Sequence, residues 1–167
     1  MVRMDIQTVM VGMGPVSSLV VLKPRATDKN LESEKLPIRI GMVEASAISA
    51  GVEGPTSKRP LTHDLLLNCI KQMGGRLNYV EIVDVQGTTF YAHVNITCES
   101  GRHIDVDARP SDALALAVRE GVPIFADERV LQMASMPDFE AIEHEEKEQE
   151  LQEFHDFVEN LSPDDFK

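Results

Sequence analysis

Two Arg-Pro dipeptides, Arg59-Pro60 and Arg109-Pro110, each lead straight into a run with helical spacing, and they constrain the fold more than any other feature of the chain. The first run reads Leu61-Thr62-His63-Asp64-Leu65-Leu66-Leu67, the second Ser111-Asp112-Ala113-Leu114-Ala115-Leu116. Proline disfavours helical geometry in the residue before it, so each arginine is expected in extended chain. Thr62 and Ser111 are the predicted N-caps, with hydroxyls able to accept from an orphan amide of the first turn. Gly74-Gly75 and Gly121 end the two helices. Each start therefore sets a guanidinium beside the positive end of a helix, which is the chemistry of an anion site. Strand, Arg-Pro, helix, glycine and strand follow in that order twice, as in a diverged internal duplication.

Strands are expected at 6–13 and 17–23 around Gly14-Pro15, at 36–43, and at 77–85, 89–98, 103–108 and 122–126. Helices are expected at 44–51, 62–73, 111–120 and 127–134. In the second of these, Leu66, Cys69, Ile70 and Met73 have the spacing of one buried face. Residues 113–118 are apolar almost all round, which predicts a central helix. The breaker-rich stretches 24–35 and 52–58 read as loops. Hairpins mixed with helices give an α+β fold, a single domain with a mixed, largely antiparallel sheet. The domain is expected at 1–138, followed by an acidic C-terminal helix in the tail, 139–167.

The formal charge of −12 is unevenly spread. Residues 140–167 hold eleven acids and two lysines, a net of −9, which leaves −3 for the rest. Leu151, Phe154, Val158 and Leu161 follow a 3-4-3 spacing, so the tail is expected to pack as an amphipathic helix on the body or on another chain. Laid across a basic cleft, it would mimic a polyanion. The acidic balance argues against general nucleic-acid affinity, though a body near neutrality leaves room for a local basic cleft. Cys69 and Cys98 lack the spacing of a metal or redox motif and read as two buried free thiols in a reducing compartment. No long apolar span or export signal is present, so a cytoplasmic chain without a membrane partner is expected.

Several side chains could carry chemistry. Asp105 and Asp107 are two apart on a strand and share a face; with Asp112 just beyond, they could hold Mg²⁺ or Mn²⁺ through oxygen ligands. The alternative is a solvated strand edge and an acid favoured by a helix start. His63 and Asp64 fit a general base or ligand, or ordinary first-turn residues. Glu44, at a strand-to-helix junction, is either a capping acid or a third catalytic carboxylate. Of Phe90 and Tyr91, one must face the core. His93, His103, His144 and His155 show no ligand spacing and are expected at the surface. A phosphate loop, a nucleophile elbow and a Cys/His cluster are all missing from the sequence.

Taken together, these motifs resemble the bifunctional nuclease family. The likeness is carried by Leu36-Pro37-Ile38 with Ile40-Gly41, Glu44 with Ala47-Ile48, Arg59-Pro60-Leu61-Thr62-His63-Asp64-Leu65-Leu66, and Thr89-Phe90-Tyr91-Ala92. Above all it rests on Asp105-x-Asp107-Ala108-Arg109-Pro110-Ser111-Asp112-Ala113, and it closes on Gly121-x-Pro123-Ile124. It spans about residues 5–135 and implies a compact α+β domain and, for some members, hydrolysis of RNA and DNA. Residues 157–166 resemble the end of actinobacterial members.

On that footing the expected activity is a nuclease, a phosphodiesterase acting on RNA and DNA. Arg59 and Arg109 would hold phosphates with help from Thr62 and Ser111. Asp107 and Asp112, joined by Glu44 or Asp64, would bind Mg²⁺ or Mn²⁺, and His63 would move the proton. The alternative is a non-catalytic regulator binding a phosphorylated small molecule or a protein, and either reading admits a homo-oligomer. There Arg59 pairs with Asp64, and Arg109 with Asp107 or Asp112, to fasten helix starts to the sheet. Accessibility separates the two: arginines open on a shared cleft favour the anion site, sealed ones the scaffold.

Overall fold

Two three-stranded antiparallel meanders, each followed by a helix, account for most of the fold. The computed structural model describes residues 1–12, 16–25, 35–54 and 58–134. The first meander is β1 (Val2–Met10), β2 (Ser18–Pro24) and β3 (Leu36–Ile40), followed by α1 (Met42–Glu53) and α2 (Thr62–Gln72). The second is β4 (Gly75–Gln86), β5 (Thr89–Cys98) and β6 (His103–Ala108), followed by α3 (Pro110–Glu120), β7 (Ile124–Ala126) and α4 (Glu128–Met133). One seven-stranded sheet runs in the order β3-β2-β1-β7-β4-β5-β6. Within the sheet, among the described residues, β7 alone joins the halves, antiparallel to β1 and parallel to β4, while α1 and α2 pack on α3 across them. The chain is thus a single α+β domain with a mixed, largely antiparallel sheet. Its repeat relates β3–α1 to β6–α3, whereas the sequence pattern suggested that the two Arg-Pro segments correspond.

Period-2 alternation puts Met4, Val20, Leu22, Leu36, Ile38, Val80, Ile82 and Val94 on one face of the sheet, where the helices cover them. Helix α3 is central, with residues 113–117 all buried. It packs against α1 at Gly51, where the helices approach closely. A Cβ there would stand 2.5 Å from Val118 Cγ2 and 2.7 Å from Arg119 Nη1. Gly51→Ala is therefore expected to cost about 1–3 kcal/mol in urea denaturation, because overpacking must displace one helix. A loss under a few tenths of a kcal/mol would mean the side chains move aside freely.

The structure departs from the expected elements in several places: the first strand runs Val2–Met10 rather than 6–13, and α1 continues through Gly51 to Glu53. The third strand stops at Ile40, because Gly41 is an extended N-cap and Met42 already begins α1. Helix α2 buries Leu67 and half-buries His63 and Ile70, whereas Leu66, Cys69 and Met73 are turned to solvent. That helix is apolar on two sides, so spacing alone could not say which side faces in. Cys69 is accordingly exposed and Cys98 half-buried. Phe90 packs on the core and Tyr91 points outward. The segments 13–15, 26–34, 55–57 and the whole tail lie outside the described residues. Within the described part, no helix is long and apolar enough to cross a membrane.

Candidate functional site

Three helix starts are linked by a chain of polar side chains, with Arg109 bridging the first and third. Glu44, Asp64 and Asp112 each occupy the third position of their helix, where a carboxylate faces the positive end of the helix dipole. Gly41 leaves room for the Glu44 carboxylate to fold back, since a Cβ at Gly41 would collide with Glu44 Oε2. Pro110 fills the first position of α3, where its missing N–H costs nothing, and holds Arg109 extended at the N-cap. From there Arg109 donates through Nε to Asp112 Oδ2 at 2.7 Å, through Nη2 to Asp112 Oδ1 at 3.1 Å, and through Nη1 to Glu44 Oε1 at 3.0 Å. His63 Nε2 lies 3.2 Å from Asp112 Oδ1. Glu44 of α1, His63 of α2 and Arg109–Asp112 of α3 thus form one bonded chain.

The cluster is layered by depth. The Arg109 side chain is 64% exposed, Asp112 33% and His63 16%, so the cation stands over an imidazole that is mostly covered. Arg109 holds the Asp112 carboxyl below its ordinary range, His63 assisting, while Asp112 and Glu44 push the Arg109 guanidinium up. Both groups are therefore charged at neutral pH. Two carboxylates and one guanidinium sum to −1. Three helix N-termini add roughly half a charge each, leaving the site weakly positive.

Beneath it lies Arg119, whose side chain is 7% exposed. It donates to Asp64 of α2 at 2.8 Å, to the Ala47 carbonyl of α1 at 2.9 Å and to the Ala115 carbonyl of its own helix at 2.8 Å. Asp64 also accepts from the Leu61 backbone amide at 2.8 Å. That amide, and then Arg119, hold the Asp64 carboxyl below its ordinary range.

Of the residues expected in one pocket, Glu44, His63, Arg109 and Asp112 come together. Asp64 faces the buried Arg119 rather than Arg59, and Arg59 is exposed ahead of α2. Thr62 and Ser111 sit one and two positions inside their helices, with Leu61 and Arg109 as the N-caps, and neither hydroxyl caps. Thr62 is exposed, whereas Ser111 is 6% exposed and sealed beneath the first turn. Asp107 lies on the sheet face turned away from the helices, in a lateral row Arg3, Phe125, Glu81, His93, Asp107 across five strands. Asp105, beside it, accepts from Asn95 Nδ2 at 2.7 Å. Asp107 and Asp112 therefore do not form the pair expected to hold an ion. Among the described residues no three His, Cys, Asp or Glu side chains are grouped to bind a metal. Both Asp112 oxygens are already bonded to Arg109, so these donors do not fit a divalent cation. Sequence reasoning missed Arg119, whose only local signal is a basic residue in the last turn of a helix.

Acid should loosen this arrangement. The Asp64 and Asp112 carboxyls sit below their ordinary value of 3.8 in the folded protein. Their contribution is then fully present above that value and is lost as the pH falls through the lower folded values. Urea stability measured from pH 6 to pH 2.5 is expected to drop steeply only below about pH 4, and less steeply in Asp112→Asn. Equal slopes for both proteins would remove Asp112 from the linkage.

The family model for the bifunctional nuclease domain matches residues 20–138. Two proteins of Mycobacterium tuberculosis, from strains CDC 1551 / Oshkosh and H37Rv, are each 45% identical to the chain over 136 residues. The alignment covers 79% of this chain and 80% of each relative, and both relatives bear the name uncharacterized protein.

Proposed function

The chain belongs to the bifunctional nuclease domain family, and from that premise we propose that it hydrolyses phosphodiester bonds of RNA and DNA at the Glu44–His63–Arg109–Asp112 cluster. The observation that carries the proposal is the contact between His63 Nε2 and Asp112 Oδ1 beneath the exposed Arg109. With the proton on Nε2, the imidazole donates to an ionised carboxylate and keeps Nδ1 as a base. Arg109 spends three of its five N–H groups on Asp112 and Glu44, which leaves two to bind non-bridging phosphate oxygens.

An enzyme acting on DNA as well as RNA cannot rely on the 2′-hydroxyl, so the nucleophile is water. Its oxygen adds to phosphorus and its proton passes to His63 Nδ1. The P–O bond to the leaving sugar breaks, and that oxygen takes a proton from solvent. Arg109 and the helix ends stabilise the extra charge that gathers on the phosphoryl oxygens. No step runs through a metal, in keeping with the donor set. The test is turnover of end-labelled RNA and DNA by highly purified protein, with EDTA, Mg²⁺ or Mn²⁺. Activity retained in EDTA is expected. Activity that returns only with an added ion would displace His63 as the group that activates water.

A second reading has its own observation in favour. Arg109 is largely satisfied inside the protein, as it would be in a regulator that holds a phosphorylated ligand without cleaving it. Saturable binding of a nucleotide with no turnover under any of these conditions would select that reading.

A further inference from the structure

Helix α2 turns a continuous apolar stripe outward. Leu61, Leu65, Cys69 and Met73 follow one another at intervals of four, with Leu66 alongside. Leu61 is 43% exposed, Leu65 57%, Leu66 45% and Met73 84%, and Cys69 is also exposed. The opposite side of the helix, with Leu67 and Ile70, packs against α3 and β4. A short helix that is apolar on both sides suits a place between two partners, and among the described residues only the inner one is in place.

We propose that this stripe is the docking surface for the chain's own C-terminal segment, residues 151–161. Length supports the match. Leu151, Phe154, Val158 and Leu161 have helical spacing over ten residues, about 15 Å at helical rise, against about 18 Å from Leu61 to Met73. Reach supports it too. The described chain ends just after α4, which packs on β4, the strand that α2 also packs on. Sixteen residues separate Ala134 from Leu151. Extended, these would span about 50 Å, and the tether gives an effective concentration on the order of millimolar. Charge favours the tail over a second copy. Lys58 and Arg59 are exposed just ahead of α2, whereas Lys71 in its last turn is paired with Glu120 at 2.7 Å, so a second copy would add further cations beside Lys58 and Arg59. Residues 140–167 bring a net of −9. The inference stands on the stripe and the tail and is independent of the phosphodiesterase reading.

Cys69 lies within the stripe and provides the readout. In full-length protein carrying Cys98→Ser it is the only thiol, since the chain has two cysteines. Its alkylation by a maleimide, followed at low micromolar protein, is expected to be at least about tenfold slower than in the same protein with Phe154→Asp and Val158→Asp, as more than nine-tenths docking requires. Leu65→Lys, at a position already exposed, should release the thiol in the same way without touching the tail. Equal rates in all three proteins overturn the proposal. So does protection that disappears on dilution together with a dimer seen by light scattering, which would make the occupant a second copy.

Discussion

Replacing Arg119 with methionine is expected to lower the stability of the fold by about 3 kcal/mol, more than any other single change considered in this molecule. The side chain is 7% exposed and bonds to α1, α2 and α3 at once. Removing it takes the side-chain donor from the Ala47 carbonyl and leaves Asp64 without its cation. Breaking a buried pair costs about 3–5 kcal/mol, and the lower end applies because Asp64 is 38% exposed and solvent takes up part of the loss. In a chain of this size the melting temperature should fall by roughly 6–12 °C. Arg119→Lys keeps the charge but cannot span three acceptors, so it should lie between. A loss under about 1 kcal/mol for the methionine variant would reduce Arg119 to the weight of a surface ion pair.

The largest effect on activity should follow from His63→Ala, a fall of about 10²–10⁴ in kcat. Asp112→Asn should approach it, because the imidazole loses the carboxylate that sets its proton on Nε2. Arg109→Ala should lower kcat by about 10²–10³ through the loss of charge stabilisation at phosphorus. The Arg109–Asp112 pair is partly exposed, at 64% and 33%, so either change should cost the fold no more than about 1 kcal/mol. This split separates chemistry from scaffolding. Activity lost while the urea midpoint stays put supports the site, and activity unchanged in all three variants points to a contaminating enzyme. A joint collapse of activity and fold would assign the cluster to architecture.

How much of this could be read from residues alone depends on distance along the chain. Arg109 has Asp107 and Asp112 close by in sequence, so the residues alone left two partners, and the helix start at Pro110 turns it to Asp112. Strands of the second meander were plain, because Gly87 and Ser100-Gly101 mark the turns between alternating runs. Glu44 reaches Arg109 across sixty-five positions and Asp64 reaches Arg119 across fifty-five, and no local pattern encodes either contact. The sequence reading offered Arg59 to Asp64 because it was near in sequence, whereas packing of α2 on α3 supplied Arg119. Asp107 was drawn towards Asp112 for the same reason. Strand alternation puts Asp107 on the face away from the helices, so two carboxylates five residues apart serve different faces of the sheet.

The short strand β7 imposes an order on assembly. Val2–Met4 cannot acquire their inner neighbour until Ile124–Ala126 have been synthesised, although β1 precedes both meander turns and all the helices between them. Each meander can form while the chain is still emerging from the ribosome, but the two halves of the sheet can be locked together only once β7 has emerged. Such late, long-range closure slows folding. Until then the inner edges of β1 and β4 stay open to mispairing.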